Sequence, residues 1–232
     1  MMARAWAVVP AAGSGRRMGA ATAKQYLPLR GRPLLAHSLA PLLSCSRIDA
    51  VVLVIAAGDR RWQEAVSPGP RILTAPGGVE RCHSVLSGLE ALADRAAEDD
   101  WVLVHDAARP CLSSADLESL FAEIGNDPVG GLLALPLADT LKQADDEHRV
   151  VGTVPREKLW RALTPQMFRY GLLRRALADA VEAGEPVTDE AAAMERAGHR
   201  PALVAGSGAN LKVTTPEDLA LADAVLRSRE EK

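Results

Sequence analysis

Short runs of aliphatic residues alternate along the chain with segments whose apolar residues recur at helical spacing. Runs without polar alternation are typical of strands that are covered on both faces of a sheet. They predict strands at residues 5–10, 49–56, 71–76, 101–107 and 131–137. Apolar stripes predict helices within 80–96 and 167–183. This repeated strand-helix order predicts an α/β fold with a Rossmann-like, doubly wound and mostly parallel sheet.

The last predicted helix has a defined start. Thr215 can cap the first turn, and the fixed backbone angle of Pro216 suits the first helical position. Glu217 and Asp218 follow and complement the positive end of the helix dipole. We therefore expect a helix that begins at residue 216.

Residues 138–158 interrupt the strand-helix order. The segments DTLKQAD and RVVGTVPR flank the polar turn DDEH, which predicts a protruding β-hairpin arm. A protruding hairpin exposes strand edges, and proteins usually cover such edges. We therefore expect a homodimer with the arm in its interface. No linker, repeat or low-complexity segment divides the chain, so residues 1–232 are expected to form one domain.

Composition and charge narrow the class of protein. The 232 residues carry a formal net charge of −3, which argues against sequence-blind nucleic-acid binding. The three cysteines and five histidines form no C-x-x-C or H-E-x-x-H motif, so no protein-held transition metal is expected. The apolar start AWAVVPAAG is too short to span a membrane and runs directly into GSGRRMG, which is unlike a signal peptide. We expect a cytoplasmic protein.

The first strand ends in PAAGSGRRMG, a glycine-rich turn followed by cations. Gly13 and Gly15 allow backbone N–H groups to face phosphate oxygens. Arg16, Arg17 and Lys24 lie close by in sequence, a combination that suits a triphosphate at the carboxyl end of a strand. The spacing matches neither G-x-G-x-x-G nor a Walker P-loop. A purely structural turn is the alternative.

Two further segments carry candidate ligand-binding residues. In APGGVERCHSV, Gly78 allows a base edge to approach bare backbone, and Ser84 offers a hydroxyl; a loop followed by the solvated Arg81 is the alternative. In VHDAARP, Asp106 follows a buried strand and could hold sugar hydroxyls or a metal. A turn residue, or a structural ion pair with Arg109, is the alternative for Asp106.

A last group of candidates is dispersed along the chain. Its members are Thr140, Arg156, Thr164, Thr188 and Lys212. For Lys212 the alternative is an edge-strand lysine that points to solvent.

Taken in order, PAAGSGRRMG with AKQY, GGVERCHSV, VHDAARP, ADTLK, LTPQ, TDEA and NLKVTTPEDLALA resemble the 2-C-methyl-D-erythritol 4-phosphate cytidylyltransferase family. The resemblance runs from residue 10 to about residue 222 and implies a nucleotide-diphospho-sugar transferase type of fold, with a β-arm that forms a dimer. Ala23 departs from the family pattern, where proline precedes the lysine. Some members carry a fused cyclase domain, which we do not expect here because the sequence ends just after its last helix.

The resemblance also implies roles for individual residues. The catalytic cations are Arg17 and Lys24. Nucleotide-binding positions are Pro10, Ala11, Ala12, Gly13, Gly15, Gly78, Arg81, Ser84, Asp106 and Ala107, with the last two near the ribose. Positions for the methylerythritol phosphate are Arg109, Thr140, Arg156, Thr164, Thr188 and Lys212, of which Arg156 and Lys212 hold its phosphate.

The implied reaction joins CTP and 2-C-methyl-D-erythritol 4-phosphate, with Mg²⁺ bound mainly through the CTP phosphates. An ionised phosphate needs no general base, which agrees with the lack of a candidate histidine. Three other functions are possible. They are a cytidylyltransferase for a pentitol phosphate such as ribitol 5-phosphate, an NAD-dependent oxidoreductase, and a non-catalytic nucleotide-binding module.

Overall fold

The computed structural model describes residues 3–13, 23–185 and 187–231. The strands are β1 (Ala5–Pro10), β2 (Pro28–Leu29), β3 (Arg32–Pro33), β4 (Ile48–Ile55), β5 (Ile72–Pro76), β6 (Trp101–Val104), β7 (Gly130–Pro136), β8 (Leu141–Ala144), β9 (Val150–Val154), β10 (Trp160–Arg169) and β11 (Ala202–Ala205). The helices are α1 (Leu34–Ser44), α2 (Trp62–Ala65), α3 (Arg81–Glu90), α4 (Ser114–Ile124), α5 (Tyr170–Glu182), α6 (Glu190–Arg196) and α7 (Pro216–Glu230), with a 3₁₀ turn at Lys24–Tyr26.

The central sheet has seven strands in the order β11-β7-β10-β6-β1-β4-β5. Strand β1 is parallel to both β4 and β6, β4 is parallel to β5, and β11 is parallel to β7. Strand β10 runs antiparallel to β6 and β7. The predicted α/β fold with a mostly parallel sheet is therefore confirmed.

Both faces of the sheet are covered, which explains why its strands lack polar alternation. Successive residues of β1 point to opposite faces, so Ala7 and Val9 join one hydrophobic core and Trp6 and Val8 join the other. Helices α1 and α4 pack on the first face, and helices α3, α5 and α6 pack on the second. The two cores hold the carboxyl ends of β1 and β6 in place side by side.

The hairpin is present as a separate two-stranded sheet of β8 and β9. The chain leaves β7 at its carboxyl end and returns as the antiparallel strand β10, so the arm projects from the same sheet edge at which β1 ends. Val150 and Val151 on the arm are about two-thirds exposed, at 65% and 64%. The arm therefore carries apolar side chains that the described part of this chain leaves uncovered.

Several predicted boundaries were wrong. The strand at 101–107 ends at Val104, because the chain then turns into the segment that carries Asp106. The helix placed in 80–96 ends at Glu90. The helix placed in 167–183 begins at Tyr170, because residues 167–169 complete β10 by pairing with β6. No strand was predicted at β10, because a buried strand and a buried helix have similar composition.

The last helix begins as predicted. The Thr215 side chain accepts from the backbone N–H of Asp218, and the Asp218 carboxylate accepts from the backbone N–H of Thr215, with Pro216 in the first turn. This reciprocal pair is a capping box. Among the described helices, none combines the length and apolar character needed to cross a membrane.

Candidate active site

A cavity of about 680 Å³ opens at the carboxyl edge of the sheet, between the segments that follow β1 and β6. In the order of the sheet, the chain passes from β1 outward to β5 and then returns to β6 on the other side of β1. Ligands of open α/β sheets bind at such a switch point, where the segments after neighbouring strands separate. The position of the cavity thus follows from the topology.

Most of the sequence-predicted residues line this cavity. They are Pro10, Ala11, Ala12, Gly13, Lys24, Gly78, Arg81, Ser84, Asp106, Ala107 and Lys212. They come from five separate stretches of the chain, and the fold brings them around one volume. Lys24 and Lys212 are thereby placed at the same cavity, although they are far apart in sequence.

The turn that carries Lys24 is attached to the end of β1. The side-chain amide of the buried Gln25 donates to the carbonyl of Ala11 at 2.6 Å. Ala23 has φ −58°, an angle that proline also adopts, so the departure from the family pattern leaves the backbone before Lys24 in a proline-compatible conformation. Gln25 therefore positions its neighbour, Lys24, at the cavity.

Two glycines let the loop before α3 pack tightly. A Cβ at Gly77 would lie 2.2 Å from the Cβ of Ala12, and one at Gly78 would lie 2.4 Å from the Cβ of His83. The backbone N–H of Gly78 donates to the Ser84 hydroxyl at 3.0 Å, and this hydroxyl donates to the Glu80 carbonyl at 3.1 Å. The loop thus presents bare backbone and a hydroxyl to the cavity.

Asp106 lies where three cations meet. Its Oδ1 accepts from Arg81 at 3.1 Å, its Oδ2 contacts Lys212 Nζ at 2.8 Å, and the Nε of Arg109 lies 4.0 Å away. Burial raises the pKa of Asp106, but the charges of Arg81 and Lys212 outweigh this effect and hold the pKa well below its usual range. The alternative of a solvent-directed Lys212 is therefore wrong, because its ammonium group faces Asp106.

Arg81 is held between two carboxylates. Its guanidinium donates to both oxygens of Glu190, at 2.6 and 3.1 Å, and its Nε and one terminal nitrogen donate to Asp106. The Glu190 carboxylate is fully buried, and this burial raises its pKa despite the adjacent charge of Arg81. Such a two-sided clamp fixes the orientation of the guanidinium. The alternative of a solvated Arg81 is also wrong.

A hydrogen-bonded chain beneath the cavity fixes the backbone of Asp106. Its N–H donates to the hydroxyl of Thr164 at 3.1 Å, and this hydroxyl lies 3.0 Å from Nδ1 of His105. Nε2 of His105 lies 3.1 Å from the carbonyl of Arg109. A carbonyl only accepts, so Nε2 carries the proton and Nδ1 accepts from Thr164. Burial lowers the pKa of His105 to about 4, which keeps the ring neutral.

The segment before α7 delivers Lys212. The Arg109 side chain donates to the carbonyl of Asn210, the Asn210 amide donates to the carbonyl of Thr164, and both distances are 2.7 Å. The N–H of Val213 donates to the carbonyl of Ala108 at 2.8 Å. These bonds attach the segment to the floor of the cavity on both sides of Lys212.

Other predicted residues do not line the cavity. Arg109 and Thr164 are buried beneath it, and Thr188 is exposed before α6. Thr140 and Arg156 are exposed beside the arm, where Arg156 donates to the carbonyl of Ala138.

Two of the predicted residues fall in the stretch 14–22. Gly15 and the predicted catalytic Arg17 therefore lie outside the described residues.

Sequence reasoning missed three residues that shape the site: Gln25, His105 and Glu190. Each lies inside one of the motifs AKQY, VHDAARP or TDEA, within two residues of a predicted site residue. The choice went to residues that could touch a ligand. A buried polar residue that supports them is revealed only by its partner, which for Glu190 is 109 residues away in sequence.

The fold and the cavity define a nucleotidyltransferase, in which a backbone-lined loop, an ionised carboxylate and converging cations meet at the switch point of a mostly parallel sheet. Residues 5–228 match the family model described as 2-C-methyl-D-erythritol 4-phosphate cytidylyltransferase. The chain belongs to this family.

Relatives and solved structures agree with this assignment. The 2-C-methyl-D-erythritol 4-phosphate cytidylyltransferase of Dechloromonas aromatica is 56% identical in an alignment of 231 positions that covers 98% of this chain and 100% of the relative. That of Azoarcus sp. strain BH72 is 53% identical over 97% of this chain and 95% of its own. The crystal structure of a 4-diphosphocytidyl-2C-methyl-D-erythritol synthase superposes with a TM-score of 0.85 at 36% identity, covering 97% of this chain and all of that one. The Thermus thermophilus enzyme superposes with a TM-score of 0.79 at 31% identity, covering 97% of this chain and 99% of its own.

The buried neutral His105 makes stability depend on pH. Its pKa is about 4 in the folded protein and 6.5 for an ordinary histidine, so its neutral form favours folding above pH 6.5. We expect this contribution to the free energy of unfolding, about 3 kcal/mol, to be lost as the pH falls from 6.5 toward 4. The charged neighbours of the ring act in opposite directions, since the charge of Asp106 raises the pKa of His105 and that of Arg109 lowers it. Urea unfolding across this range measures the contribution. His105→Gln, which donates and accepts without titrating, should lack the part of the slope that His105 contributes. An unchanged slope would contradict the assignment.

Proposed function

We propose that this cavity joins CTP to 2-C-methyl-D-erythritol 4-phosphate and releases pyrophosphate, a step of non-mevalonate isoprenoid precursor synthesis. The product is 4-diphosphocytidyl-2-C-methyl-D-erythritol. The family assignment supports the reaction. One observation supports placing the reaction in this cavity. Asp106 contacts Lys212 at 2.8 Å there, and Lys24 lines the same cavity.

The cytidine half lies against the backbone on the β1 side of the cavity. Residues 10–13 and Gly78 offer main-chain groups there, and Ser84 offers a hydroxyl. Asp106 accepts from the ribose hydroxyls, because its low pKa keeps it ionised and an ionised carboxylate is purely an acceptor. Ala107, beside it, allows the ribose to approach closely.

The triphosphate lies toward Lys24 and, in this proposal, Arg17. An oxygen of the methylerythritol phosphate attacks the α-phosphorus in line as the bond to the pyrophosphate oxygen breaks. Two anions must approach each other, so fixed cations supply most of the catalysis by stabilising charge on the α-phosphate and the leaving group. The attacking oxygen is already ionised and no proton has to be removed.

The residues at the cavity fit a Mg²⁺ ion that is held mainly by CTP. Among the described lining residues, the carboxylates are Glu80 and Asp106, and both oxygens of Asp106 already contact cations. Mg²⁺ commonly keeps several waters and binds substrate phosphates with few protein ligands, and Glu80 is the carboxylate available to it here. Bound in this way, the ion neutralises part of the triphosphate charge.

The acceptor phosphate is held by Lys212 and Arg156. Lys212 is on the cavity wall, whereas Arg156 and Thr140 are exposed on the arm and do not line the cavity of their own chain. We therefore propose a homodimer in which the arm of one subunit reaches the cavity of the other. The uncovered Val150 and Val151 support such an interface. Arg109 and Thr164 act from beneath by positioning Asp106 and Lys212. Thr188, exposed before α6, keeps its proposed role toward the acceptor.

The choice of acceptor can be tested directly. Pyrophosphate release should be fast with CTP, Mg²⁺ and 2-C-methyl-D-erythritol 4-phosphate, and much slower when ribitol 5-phosphate replaces the acceptor. Omitting Mg²⁺ should slow release, because the triphosphate charge is then less neutralised. Equal or faster release with ribitol 5-phosphate would transfer the assignment to a pentitol-phosphate enzyme.

Lys24→Ala should chiefly lower turnover. Loss of one fixed donor to a developing charge typically costs about 10²–10³-fold in rate. Steady-state kinetics would measure kcat and the KM for each substrate, with Arg95→Ala as a control that removes an exposed cation away from the cavity. Near-wild-type turnover in Lys24→Ala would exclude the catalytic role.

The shared site predicts complementation between two inactive variants. A mixed dimer of Lys24→Ala and Arg156→Ala subunits contains one fully intact site if the arm acts on its partner. Mixed dimers purified through two different tags should show about half of the wild-type rate, because a two-fold dimer has two equivalent sites. If the arm serves its own subunit, every site carries one defect and no activity returns. A monomer in sedimentation would also refute the dimer.

A further inference from the structure

Three potential metal ligands of different chemistry meet at the start of α3. The thiol of Cys82 lies 3.8 Å from a carboxylate oxygen of Glu80 and 3.6 Å from Nδ1 of His83. All three ligand atoms lie within 4.8 Å of one another. This group is separate from the Asp106 network, and its thiol and imidazole have no part in the proposed transfer reaction.

The two separations from the Cys82 thiol are close to those of a tetrahedral zinc site. Zn²⁺ binds cysteine sulfur at about 2.3 Å and histidine nitrogen or carboxylate oxygen at about 2.0–2.2 Å, which places neighbouring ligand atoms roughly 3.3–3.6 Å apart. The two separations from the thiol are therefore within a few tenths of an ångström of those around a bound ion. Mg²⁺ is a poor match, because it prefers oxygen ligands in an octahedron.

The surroundings hold Cys82 and His83 in place at the start of α3. Cys82 is buried in the core on the α3 side of the sheet, and the Cβ of His83 packs directly against Gly78. Glu80 occupies the N-cap position of α3 but makes no side-chain capping hydrogen bond there. Its carboxylate is instead directed toward the thiol.

We propose that Glu80, Cys82 and His83 form a three-ligand site for Zn²⁺, with water in the fourth position. Binding forms Zn–S, Zn–N and Zn–O bonds and releases the Cys82 proton to solvent, without any redox change. Three protein ligands and one open position are typical of zinc sites that exchange a ligand.

Occupancy of this site opposes nucleotide binding, a consequence that rests on the proposed function. Glu80 lines the nucleotide cavity, where it is the carboxylate available to the Mg²⁺ ion that CTP carries. Zinc coordination at the start of α3 withdraws this carboxylate from the nucleotide. Zinc therefore raises the KM for CTP.

The binding test uses Co²⁺ as a spectroscopic probe of the zinc site. Titration of the full-length protein should produce a thiolate-to-cobalt absorption band that Zn²⁺ abolishes by displacement. Cys82→Ser should lose the band, and His83→Gln should weaken binding by more than the 10–100-fold that loss of an outer partner typically costs. Cys45→Ser, a free cysteine outside the cluster, is the matched control and should keep the band. No band in the wild type, or one retained in Cys82→Ser, would overturn the site.

Steady-state kinetics test the inhibitory effect of zinc separately from zinc binding. Zn²⁺ should raise the KM for CTP in the wild type and in Cys45→Ser, while Cys82→Ser should keep its zinc-free KM. A cobalt band that depends on Cys82, together with a zinc-independent KM, would overturn the inhibitory effect while the site stands. Lack of transferase activity without zinc would instead count against the proposed function, since the cobalt band does not depend on it.

Discussion

The site depends on keeping one buried carboxylate ionised. Asp106 faces Arg81 and Lys212, and Arg81 is held in turn by the fully buried Glu190. A buried charge without a partner costs several kcal/mol, so each member of this group requires the others. The charges are thereby fixed before any substrate arrives. An electrostatic site gains from this arrangement, because its groups need not reorganise during the reaction.

The positions of these charged side chains depend on the backbone segments that carry them. His105 and Thr164 bond the strand end from below, and Asn210 connects the same region to the segment that carries Lys212. Strand β10 supplies Thr164 because it runs antiparallel between β6 and β7, which places its middle under the cavity. The reversed strand thus has a direct part in the site, and it also forces the connection that becomes the arm.

The hydrophobic pattern was enough to predict the class of fold. Five aliphatic runs matched strands within a few residues, because strands buried on both faces must be apolar throughout. The same property hid β10, whose buried half continued without a break into the apolar stripe of α5. Most of the residues that line the cavity could be predicted from the sequence, because glycine turns and charged residues at strand ends form recognisable local motifs. No local motif indicated Glu190, since a buried acid is identified by its partner, and that partner, Arg81, is distant in sequence.

The sequence by itself therefore determined the strand-helix order, the family and most of the residues that face the cavity, since these depend on local composition and on ordered motifs. Only the tertiary structure decided which charges pair. It turned Lys212 from a candidate surface lysine into a partner of Asp106 and showed Arg109 and Thr164 as supports beneath the cavity. It also showed that Thr140 and Arg156, on the predicted arm, do not line the cavity of their own chain. The physical reason is that an ion pair or a hydrogen bond depends on distance in space, and the chain brings residues 81, 106, 190 and 212 together only when the sheet is complete.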